Sequence, residues 1–124
     1  EEALEWFERT LDYCLLHNDI INAIGVCRNI ITISILNSTQ ETGSMLLYKL
    51  LPHLSTMEDE SLKHTDFILI AAFLLSYDKN MTNSGRQDIE ERMKRIYGES
   101  WASQATMQLQ QIKTPKQLNI DEFS

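Results

Sequence analysis

Two segments constrain what this chain can fold into more than anything else: residues 19–36 and 62–77 are apolar on almost every side. The first carries Ile20, Ile21, Ala23, Ile24, Val26, Cys27, Ile30, Ile31, Ile33 and Ile35, and the second Phe67, Ile68, Ile70, Ala71, Phe73, Leu74 and Leu75. A helix without a polar face must have neighbours all round it. Each segment is therefore expected at the centre of the fold, packed against the other. The half from Ile30 to Leu36 also alternates like a strand, Ile31-Thr-Ile-Ser-Ile35. No second convincing strand exists to pair with it, and a lone strand leaves its backbone unsatisfied, so helix is the expectation.

The remaining segments read as amphipathic helices with turn and capping residues between them. Leu4, Phe7, Leu11, Cys14 and Leu15 recur at helical spacing, with Glu5, Glu8, Arg9 and Asp12 between them. His17-Asn-Asp19 then supplies a tight helical hairpin. Ser38 with Glu41 makes a capping box for a third helix to Leu54, bent or shortened near Pro52. Ser55-Thr-Met-Glu58 repeats the capping signature, followed by an acidic connection from Met57 to Ser61. Residues 78–85 form the clearest loop. Ser84 with Gln87 opens a helix on which Asp88 with Arg92, Glu90 with Lys94 and Glu91 with Arg95 fall in the favourable i, i+4 order. Gly98 stops it, and Ser100 caps a last helix carrying Trp101, Ala105, Leu109 and Ile112 on one stripe. The expected architecture is all-α, a single domain of five to six antiparallel, hairpin-linked helices over residues 1–115, with a short polar tail over 116–124.

The stretch Leu16-His-Asn-Asp-Ile-Ile-Asn-Ala-Ile-Gly-Val-Cys27 resembles the junction between the two helices of a tetratricopeptide repeat, with Asp19 and Ile20 at the turn and Ala23 as the small packing residue. No period of about 34 residues returns downstream, and the repeat's usual glycine and terminal proline are missing from their places, so the chain is not assigned to that family.

Charge and chemistry narrow the function classes. A net charge of -7 disfavours nucleic acid and anionic membranes as partners. The stretch with Arg86, Arg92, Lys94 and Arg95 is the best basic patch, half cancelled by Asp88, Glu90 and Glu91. The residues between Ile20 and Leu36 are too polar for a membrane span. Cys14 and Cys27 sit inside apolar helical patterns and are expected as free, buried thiols, which places the chain inside the cell. Asn37-Ser-Thr39 and Asn80-Met-Thr82 match the glycosylation sequon, read here as chance matches. The chain opens on Glu1-Glu2 without a charged leader or apolar core, so no targeting peptide is expected, and it reads as part of a larger protein or complex.

Reactive constellations are weak. Cys14 and His17 lie one turn apart, a spacing a nucleophile and base could use, yet a structural Cys explains it as well. The pairs His64 with Asp66 and His17 with Asp19 match no metal signature and suit solvated or capping roles. No glycine-rich phosphate loop occurs. The expectation is therefore a non-catalytic protein-interaction or scaffolding domain without cofactor or metal, binding another protein or itself. A nucleic-acid-associated regulatory or viral domain is the first alternative, and an enzyme with an unrecognised site the second. Trp6 and Phe7 are adjacent and cannot both enter one core, which leaves Trp6 as a candidate anchor, against the bland reading of a rim residue. Trp101 with the tail to Phe123 is the second candidate surface, and Arg92 and Arg95 are candidate contacts in the basic stretch.

Overall fold

The computed structural model describes residues 2–113. Among them it contains eight helices and no strand: α1 Glu2–Leu16, α2 Ile20–Leu36, α3 Gln40–Leu47, α4 Leu51–Leu54, α5 Asp59–Lys63, α6 Phe67–Tyr77, α7 Asn83–Tyr97 and α8 Trp101–Lys113. The all-helical expectation holds, including over Ile30 to Leu36. The count of five to six does not, because the helix expected to Leu54 is divided and the acidic connection adds a short helix of its own. The 116–124 tail lies outside the described residues.

The two apolar helices occupy the centre. Every residue from Phe67 to Leu74 is buried, and α6 touches α2, α3, α5, α7 and α8. α2 packs against α1, α3, α6 and α8, burying Ala23, Ile24, Cys27, Ile30 and Ile31. α2 and α3 approach so closely at Gly43 that a Cβ there would lie 2.1 Å from Ser34 Oγ.

Both turns flanking α2 share one device. Asn18 and Ser38 adopt left-handed backbone, with φ of 55° and 59°. The next N–H in each case bonds back five residues, Asp19 N to Cys14 O and Thr39 N to Ser34 O, both at 2.8 Å. This is the Schellman end of a helix, in which a left-handed residue lets the chain turn back on itself. Ser38 is thus the terminator of α2 rather than the N-cap of α3, a position taken by Thr39.

The expected helix from Glu41 to Leu54 breaks at Tyr48–Leu50. Pro52 has no N–H and its ring would strike the carbonyl four residues earlier, so the chain tightens first. Leu50 N bonds Leu47 O at 3.0 Å and Leu51 N bonds Tyr48 O at 3.3 Å, both i to i−3. α4 then starts with Pro52 in its first turn. The acidic connection contains the short helix α5, whose first turn carries Asp59 and Glu60, where carboxylates complement the helix dipole. The expected helix from Leu62 begins only at Phe67, because Thr65 donates to Leu62 O at 2.7 Å and accepts from Phe67 N at 3.2 Å. Likewise α7 is capped by Thr82, which accepts from Gly85 N at 3.0 Å, one residue before the helix and not at Ser84. Gly98 ends α7 with φ of 86°.

Candidate interaction surface

α1 has two faces of opposite use. Leu4, Leu11 and Cys14 are buried against α2, with Phe7 and Leu15 partly so. Trp6, Tyr13 and Leu16 point the other way and remain 60%, 65% and 80% exposed. Together with exposed Arg9 they follow a 3-4-3 spacing, which puts them in one stripe along the helix. Trp6 lies edge-on to Phe7 with ring centroids 5.2 Å apart, so the half-buried neighbour braces the exposed one. Tyr13 lies against His17, with ring centroids 4.3 Å apart and planes tilted by 49°. Large aromatic side chains held rigid in water at little entropic cost are the residues that most often anchor partners.

One edge of this stripe is acidic. Lys49, in the turn between α3 and α4, donates to Glu8 at 2.6 Å and to Asp12 at 3.1 Å, fastening α1 to the body of the fold. The bond to Glu8, followed by the one to Asp12, raises the Lys49 pKa above its ordinary value. Glu5 sits on the same edge and remains exposed.

The other sequence candidates fall elsewhere. Trp101 is partly buried against the core between α6 and α8, at the rim, on the stripe with buried Ala105, Leu109 and Ile112. Phe123 lies outside the described residues. Arg92 is spent within the fold: Nε bonds Asp59 at 3.1 Å, one terminal nitrogen bonds Leu54 O at 2.7 Å and the other bonds Met57 O. Its guanidinium also lies 5.9 Å from the Phe67 ring centre. Arg95 reaches the same Asp59 carboxylate through Nε and at 3.1 Å through a terminal nitrogen. The expected pairs with Asp88 and Glu91 give way to this cross-helix clamp, which ties α5 to α7. Arg95 first, and then Arg92, hold the Asp59 pKa down to about 2. Asp59 is the residue that sequence reading passed over, since nothing local marks an acid as the partner of arginines more than thirty positions on.

A cavity of about 340 Å³ opens between α4, α6 and α7, with an apolar wall from Leu51, Leu54, Phe67, Met81 and Ile89 and both Asp88 and Arg92 at its edge. Next to it, Asp78 is buried and accepts from Asn80 N at 3.0 Å, and its carboxylate, aided by burial, pushes the Tyr48 phenol up to about 12.

The thiols are free and buried. Burial, followed by the neighbouring Cys14, pushes Cys27 up to about 12, and burial with Asp19 raises Cys14. His17 lies exposed against Tyr13, while His64 pairs with Glu60 at 3.2 Å and Asp66 with Arg28 at 3.2 Å. Among the described residues no group of three or more His, Cys, Asp or Glu is placed to hold a metal ion. No described helix is long and apolar enough to cross a membrane. Comparison with protein-family models, curated proteins and solved structures found no match for this chain.

Proposed function

We propose that this chain is a non-catalytic protein-interaction domain that offers the outer face of α1 to a partner protein. The observation that carries the reading is the exposure of Trp6, Tyr13 and Leu16 on one stripe of a helix whose opposite stripe is sealed against α2. Water gains from the covering of such side chains, and their burial on binding is worth about 25 cal/mol per Å² of apolar area before the costs of association.

The clamp on Asp59 weighs against nucleic acid, because the arginines best placed to meet phosphate are already bonded inside the fold. Thiols pushed upward by burial weigh against a cysteine nucleophile, which acts as the thiolate. An intracellular setting fits two unbonded thiols.

A photoreactive residue tests the reading directly. Placed at Tyr13, it should form a covalent adduct with a partner protein in the native cell, and Trp6→Ala should abolish the adduct. The same residue at Met107, exposed on α8, should give none. An adduct from position 107 and not from 13 would move the interface elsewhere.

A further inference from the structure

The α1 face carries information about the chemistry of its partner, and this inference rests on the docking reading above. We infer that the occupant is a basic amphipathic helix, with apolar side chains at 3-4 spacing and lysine or arginine along its flank. Three features of the face lead there.

The first is periodicity. Trp6, Arg9, Tyr13 and Leu16 repeat as the seam of a two-helix packing, in which one helix lays its ridge into the groove of another at a shallow angle. From Trp6 to Leu16 the seam runs about 15 Å, so a partner helix of about 14 residues covers it with a turn to spare. An extended strand, with side chains alternating every second residue, does not match this spacing.

The second is charge. α1 carries Glu2, Glu5, Glu8 and Asp12 against Arg9 alone, and Lys49, in the turn after α3, offsets part of that. Glu5, Glu8 and Asp12 lie along a single edge, so a partner flank of cations meets them side by side. A second copy of this chain would bring the same acidic edge and a further -7 of charge, which opposes self-pairing. Arg9 interrupts the seam midway, and a partner acid opposite it fixes the register.

The third is shape. Trp6 and Tyr13 stand proud one heptad apart, so the facing positions suit alanine or leucine better than further aromatics.

The test uses the full chain and two fluorescently labelled peptides of about 14 residues, identical in their Leu and Ala seam and flanked by Lys in one and Glu in the other. Anisotropy should show the Lys peptide binding about tenfold more tightly than the Glu peptide at low salt, with the gap closing as ionic strength rises. Glu5→Lys should narrow the gap, and Trp6→Ala with Tyr13→Ala should weaken the Lys peptide about tenfold or more. Equal or tighter binding of the Glu peptide, still lost on Trp6→Ala, overturns the charge inference and leaves the docking face standing. Binding of either peptide that ignores Trp6 and Tyr13 removes the face itself. Binding of neither peptide overturns the inference, and the crosslinking result then judges the face. A dimer in light scattering that dissociates on Trp6→Ala overturns it in favour of a second copy.

Discussion

Asp59 and Arg92, on α5 and α7, meet with 3.1 Å between carboxylate oxygen and guanidinium Nε, and the same carboxylate holds Arg95. Arg92→Ala should therefore cost about 2 kcal/mol or more, since it releases Asp59 together with the carbonyls of Leu54 and Met57. Arg92→Lys should lose most of that, as an ammonium cannot reach three acceptors in a plane. Urea unfolding of the variants measures both. The pH dependence follows from the depressed Asp59 pKa. The unfolded carboxyl titrates near its ordinary value, so the clamp's stability is fully present above pH ~4 and lost as pH falls toward ~2. Asp59→Asn should flatten the acid limb of the stability curve over that window.

Gly43→Ala should destabilise the protein by about 1 to 3 kcal/mol, because the new methyl meets Ser34 Oγ at 2.1 Å and Ser34 Cβ at 2.8 Å. Both contacts belong to one side chain. Ser34→Gly in the same molecule should recover part of the loss, and a double-mutant cycle reads the coupling.

Ser38→Gly should stabilise the fold by about 1 kcal/mol, since a side chain at φ of 59° costs roughly that much and glycine bears no such cost. Asn18→Gly should gain less, because asparagine tolerates left-handed backbone better than serine. Thermal unfolding compares the two.

Cys14 and Cys27 should resist a thiol reagent at pH 8 and react only as the protein unfolds. The raised Cys27 pKa also implies that stability declines as pH rises from ~9 toward 12, because the unfolded thiol ionises first. Rapid labelling of the folded protein at either position would contradict the burial described.

How far the sequence disclosed this arrangement depends on whether the decisive interaction is local. The all-apolar runs of α2 and α6 announced the centre of the fold, and the strand-like alternation from Ile31 to Ile35 gave way to helix because no second strand could pair with it. The stripe from Leu4 to Leu15 left Trp6 outside it, whereas Tyr13 and Leu16, which the same helical spacing puts beside Trp6, were passed over. Helix ends were less legible. Serine occurs at N-caps and in left-handed turns alike, and only the bond from Thr39 N to Ser34 O separates the two roles of Ser38. Pro52 marked a disturbance, but did not reveal that the chain would meet it by tightening over Tyr48–Leu50 into i to i−3 bonds. The clamp was invisible because Asp59 and Arg92 are joined by tertiary structure alone, whereas local spacing pointed to Asp88.

The division of α1 into a structural face and a recognition face is tested most directly by thermal unfolding of Trp6→Ala beside Leu11→Ala. Leu11 is wholly buried, and its truncation should cost about 3 kcal/mol, while Trp6→Ala should stay within about 0.5 kcal/mol of the parent. A Trp6→Ala protein that loses as much as Leu11→Ala would make Trp6 part of the core and leave α1 without a face to offer.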